Sequence, residues 1–135
     1  MPHVVVEFSA NLRGRADVPR LLRVLHQAAL DTGVFPRGGS RTRAEERSEY
    51  LIADAHPDNA FVHVTLRIGH GRDLATRRRA GQAVFDALVA ELAPAFEATP
   101  LAISLEVQEI DPDLTWKHNN VHRHVEARDA GREQP

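Results

Sequence analysis

Cysteine is absent from the 135-residue chain. That removes a disulfide framework, a thiol nucleophile and a thiolate metal site in one step. Aromatic residues make up only 5 %, and none interleaves with the basic run Arg77-Arg78-Arg79, so stacking of bases beside bound phosphates has no support. Charge of one sign is not in excess either. Lys and Arg number 17 against 19 Asp and Glu, a net charge of −2, which gives no global reason to bind nucleic acid or an anionic membrane. No apolar run approaches the roughly 20 residues of a membrane span. The start, Met1-Pro2-His3, lacks the basic and apolar regions of a signal peptide, so a cytoplasmic location is the expectation. Also missing are a Gly-x-Ser-x-Gly elbow, a P-loop and a complete dinucleotide-binding glycine pattern.

What is present reads as two similar halves. His3-Val-Val-Val-Glu-Phe8 is rich in β-branched residues and too short for a helix, so a strand is expected over 3–8. Asp17 suits an N-cap and Pro19 a first turn, and Leu21, Leu22, Leu25, Ala28 and Ala29 recur at helical spacing. Gly33 then stops a helix over about 17–32. Phe35-Pro-Arg-Gly-Gly39 is a loop, and an extended segment is expected over 40–55. In the second half, Ala60, Val62, Val64, Leu66 and Ile68 alternate with other residues, which predicts a strand. Asp73 caps a helix over about 73–92 with Pro94 near its end, and residues 101–108 alternate again as a strand. The charged, Gly- and Pro-containing stretch 126–135 is expected to be disordered, leaving 1–125 as the single domain.

The order strand–helix–strand, strand–helix–strand makes two β-α-β units. Side by side they give a two-layer α+β fold with a four-stranded mixed sheet and both helices on one face. The other face would stay bare, with mixed apolar and polar residues, so a second subunit is expected to cover it.

For chemistry, His118, His122 and His124 lie close together, but without a His-Glu-x-x-His pattern surface histidines explain them better than a metal site. Arg41 and Arg72 each follow glycines at a loop end, where a guanidinium can hold a carboxylate bidentately. Arg43 stands two residues from Arg41 and so on the same side of an extended segment. The sharpest feature is Pro2. With Met1 removed, the chain starts with a prolyl amine. An α-amino group titrates near 7.7–8.0, and burial or a neighbouring arginine lowers that further. Such an amine can serve as general base and return the proton as its conjugate acid.

Met1-Pro2-His3 followed by Glu7-Phe-Ser9-Ala-Asn11 resembles the start of the 5-carboxymethyl-2-hydroxymuconate isomerases, a tautomerase-superfamily family. The resemblance runs on through Asp17-Val-Pro19, Thr32-Gly33-Val-Phe35-Pro36 and Ser40-Arg41-Thr-Arg43. It continues in Ala60-Phe-Val-His63-Val-Thr65-Leu-Arg67-Ile-Gly69-His-Gly71-Arg72 and Lys117-His-Asn119-Asn120-Val-His122, and spans about residues 2–125. It implies a tautomerase-like homotrimer with sheets facing inward. It also implies catalysis by Pro2 with Arg72, substrate carboxylates held by Arg41 or Arg43, and no metal or cofactor. The implied reaction is a 1,3-proton shift on a small anionic dienol in homoprotocatechuate degradation. Arg37-Gly-Gly-Ser40 and Ala44-Glu-Glu-Arg47 are more polar than the apolar, aromatic-bearing counterpart of that family. Two other readings share the fold: a tautomerase acting on another enol or unsaturated acid, and a non-catalytic oligomeric binding protein.

Overall fold

The computed structural model describes residues 2–133. Strand β1 covers His3–Ser9, helix α1 Val18–Asp31, strand β2 Arg41–Arg47 and strand β3 Ala60–Gly69. Helix α2 covers Leu74–Glu91, α3 Ala93–Ala98, strand β4 Leu101–Ile110 and helix α4 Val121–Glu133. The four strands form one mixed sheet in the order β2-β1-β3-β4. β1 runs parallel to β2 and antiparallel to β3, and β3 runs parallel to β4. The mixed sheet of two β-α-β units is thus the one expected.

The alternation along the strands decides which face is covered. Val4, Val6 and Phe8 of β1 and Val62, Val64, Leu66 and Ile68 of β3 are fully buried. They meet Val18, Leu21, Leu25 and Ala29 of α1 and Ala80, Val84 and Leu88 of α2 in one core. Each buried Leu or Val contributes roughly 1.5–3 kcal/mol. The Asp17 side chain accepts from the Arg20 N–H at 3.0 Å and so caps α1. Gly33, at φ +71°, ends that helix in the left-handed conformation that glycine adopts without strain. Gly81 lets α2 approach β4, since a Cβ there would stand 2.9 Å from the Val107 methyl carbon.

Two expectations are corrected. The extended segment stops at Arg47, because its partner β1 ends at Ser9, opposite Arg47, and beyond it no ladder is left to join. Residues 48–59 form an irregular loop in which the Asn59 amide donates to Ile52 O at 3.0 Å and Asp54 Oδ1 at 2.8 Å. Pro94 follows the end of α2, as expected. It sits in the first turn of α3, where its missing N–H costs nothing. The stretch after Glu126 is not disordered but continues α4 through Glu133, with residues 134–135 outside the described residues. The half-buried positions of α4 are His122, Val125 and Asp129, one helical face made mostly of polar residues. His122 rests on Gly38, and the Arg37 guanidinium pairs with Asp129 at 2.5 Å.

Candidate functional site

The strand directions bring several chain ends to one place. β1 and β2 start where β3 and β4 finish, because β1 is parallel to β2 and antiparallel to β3. Pro2, buried, therefore lies at the same end of the sheet as Arg41, and its carbonyl accepts from the Arg41 N–H at 3.1 Å. Met1, whose removal the prolyl-amine reading requires, lies outside the described residues. A pocket of about 430 Å³ opens at this end. His3 and Arg41 line it from the strand starts, Gly69, His70 and Ile110 from the strand ends, and residues 115–118 from the segment that follows β4.

The floor of this region is cationic. On the uncovered face of the sheet, His3 pairs in register with Arg41 on one side and Arg67 on the other. One Arg41 guanidinium nitrogen approaches His3 Nε2 at 3.4 Å, and Arg43 approaches His3 Nδ1 at 3.1 Å. Burial, followed by the charges of Arg43, Arg41 and Arg67, holds the imidazole below its ordinary range. The three arginines around His3 thus favour its neutral form. Lys117 and His118 add further basic groups to the pocket rim.

Of the four residues singled out by sequence, Arg41 lines the pocket and Arg43 reaches it through His3. Arg72 is not among the lining residues. It stands in the loop between β3 and α2, donating to Gly69 O and to Val34 O, both at 3.2 Å. Its guanidinium carbon lies 5.2 Å from the centre of the Phe35 ring. It ties the α1–β2 loop to the β3–α2 loop at the same end of the sheet. A guanidinium has five N–H donors, so these two bonds leave others for a ligand.

Residues 2–125 match the family model of 5-carboxymethyl-2-hydroxymuconate isomerase. A 5-carboxymethyl-2-hydroxymuconate Delta-isomerase of Escherichia coli is 41 % identical over 122 residues, which cover 90 % of this chain and 97 % of that one. The chain belongs to this isomerase family. The crystal structure of a 5-carboxymethyl-2-hydroxymuconate isomerase from Deinococcus radiodurans R1 superposes with a TM-score of 0.85 at 38 % identity, over 92 % of this chain and 93 % of that chain. A fused 4-OT, a symmetric trimer, shares the fold at 16 % identity and a TM-score of 0.62, over 91 % of this chain and 98 % of that chain. The tautomerase fold and the isomerase class expected from the sequence are therefore correct.

Membership does not explain every residue at the pocket. His3, Lys117 and, beside His3 in register, Arg67 stood in the sequence only inside runs that carry the resemblance, His118 was read there as a surface histidine, and Trp116 had no assignment. His3 and Arg67 carried one usable clue, since both occupy the outward phase of their strands. Thr115 and Trp116 carried none, because their place depends on where β4 ends and α4 docks. His118 lines the pocket whereas His122 packs against Gly38, so these two neighbouring histidines of the sequence face different surroundings. Among the described residues, no group of three or more His, Asp or Glu side chains is placed to hold a metal ion.

Proposed function

We propose that this isomerase ketonises 5-carboxymethyl-2-hydroxymuconate, or a dienol polycarboxylate like it, by a 1,3-proton shift in homoprotocatechuate degradation, without metal or cofactor. The observation that carries the reading is the meeting of the chain start with a pocket rich in arginine, lysine and histidine at one end of the sheet. A polycarboxylate needs such a set of donors, and a proton shift needs a base beside it.

In this reading the Pro2 amine, freed by loss of Met1, takes the proton of the 2-hydroxyl. Negative charge then spreads from the enolate oxygen over the diene, and Arg72 stabilises it as it develops. Arg41, or Arg43 through the same edge, holds a carboxylate. The protonated amine returns its proton to C5, so the base is regenerated. The cations that disfavour charge on His3 would disfavour it on an amine beside them as well.

The active form is a homotrimer located in the cytoplasm. What supports assembly is the uncovered sheet face together with Leu114 and Trp116, which are 69 % and 84 % exposed. Light scattering should give three times the 15.0 kDa chain mass.

The deciding experiment joins mass spectrometry to kinetics. The purified chain should lack Met1, and Pro2→Ala should lower kcat by about 100-fold or more, the usual worth of a positioned general base. A retained methionine in fully active enzyme, or unchanged turnover by the variant, would reject Pro2 as the base.

A further inference from the structure

Both ring nitrogens of His3 face arginines. A guanidinium only donates, and a neutral imidazole has one lone pair to offer. The two contacts therefore cannot both be hydrogen bonds to the same ring. The Arg43 contact to Nδ1 is the shorter, 3.1 Å against 3.4 Å for Arg41 to Nε2. Nδ1 is thus the acceptor and the proton sits on Nε2. The Nε2–H and the Arg41 guanidinium then stand side by side as two donors, and both residues line the pocket.

We propose that His3 binds a substrate carboxylate through Nε2–H beside Arg41, with Arg43 fixing its tautomer. One carboxylate oxygen placed between the two donors accepts from both, which relieves the contact between like donors. The arrangement turns a neutral residue into part of an anion site, and selects ligands whose carboxylate reaches the start of β1. This assignment rests on the reading that the pocket takes an anionic substrate, but not on Pro2 acting as the base.

The register explains why His3 suits the position. It lies opposite Arg41, while Arg43, two residues on, is opposite Val5. From there the Arg43 side chain reaches along the sheet to Nδ1. Arg67 on the other flank adds a third positive charge that disfavours imidazolium.

The test uses propane-1,2,3-tricarboxylate, which cannot undergo the proton shift, and calorimetric titration of the trimmed full-length chain. Fluorescence of Trp116, the single tryptophan, follows the same binding at the pocket wall. His3→Ala should weaken binding about tenfold, the usual scale for a hydrogen bond to a charged group. His3→Gln, whose amide N–H reaches the Nε2 position, should restore most of it. In turnover, His3→Ala should raise KM with a smaller effect on kcat. Wild-type affinity in His3→Ala, or a His3→Gln protein as weak as His3→Ala, would overturn the assignment. Failure of the wild-type protein to bind the tricarboxylate at millimolar concentration would overturn it too. Turnover retained by Pro2→Ala with tricarboxylate binding lost in His3→Ala would reject the base and leave the anion site standing.

Discussion

Replacing Gly38 by alanine tests how the last helix is held over the pocket. A Cβ at this position would stand 2.5 Å from His122 Nδ1 and 2.7 Å from its Cα. The ring could swing away, but the Cα belongs to the helix backbone and moves only with α4. Overpacking of this kind costs about 1–3 kcal/mol. Little resists it. The other tie, Arg37 to Asp129, is 57 % and 37 % exposed, and exposed pairs of that kind contribute about 0.2–1 kcal/mol. Val125 is the only large apolar residue on the half-buried face of α4. The penalty therefore offsets much of what the docking supplies, and α4 should open more often while the core stays folded. Hydrogen exchange over residues 121–133 should speed up by roughly 5- to 100-fold, at about tenfold per 1.4 kcal/mol. Exchange in β3, whose inward residues are fully buried, should stay unchanged. Because residues 115–118 bridge β4 to α4, KM should rise as well. Unchanged protection in α4 would refute the reasoning, as would a uniform loss across the sheet.

Two other outcomes follow from the core and the caps. Leu25→Ala removes a fully buried side chain at the centre of α1 and should cost about 2–5 kcal/mol in denaturant unfolding; a change under about 1 kcal/mol would show that the α1 face repacks freely. The Asp73 carboxyl is held below its ordinary value by its hydrogen bonds to Thr76, first that from the backbone N–H, opposed only by weak burial. A depressed carboxyl stabilises the fold above its unfolded value, near 3.9, and loses that contribution as pH falls through its lower folded value. Asp73→Asn keeps the cap but cannot titrate, so its thermal stability should fall less steeply than wild type between pH 5 and 2; equal slopes would show that Asp73 takes no part.

Local pattern was enough wherever one covering layer decides the fate of a residue. The valines of β1 and the alternation of β3 announce buried strand faces, and the spacing of Leu21, Leu25 and Ala29 announces the helix laid on them. Polar docking surfaces were harder to read. The face of α4 is His122, Val125 and Asp129, and hydrophobic periodicity does not register a helix anchored by an imidazole against glycine and an ion pair. The end of β2 was equally hidden, because a strand stops when its neighbour leaves the sheet, and that neighbour is over thirty residues away. The candidate site divides along the same line. Pro2, Arg41, Arg43 and Arg72 stand in runs that resemble a known family. Which of them touch His3, and which instead bind the carbonyls of Val34 and Gly69, depends on cross-strand register.

The chain by itself determined that two β-α-β units pair into a mixed sheet, that no thiol chemistry is available, and that Pro2 leads straight into a strand. These follow from residue types and from periods of two and 3.6, which act over a few neighbours. Only the tertiary structure decided that the starts of β1 and β2 and the ends of β3 and β4 share one pocket. It also decided that three arginines surround His3 and favour its neutral form, and that the charged last segment is a docked helix. Each of these depends on groups distant in sequence coming within a few ångströms, where charge and hydrogen bonding act and where no local pattern records them.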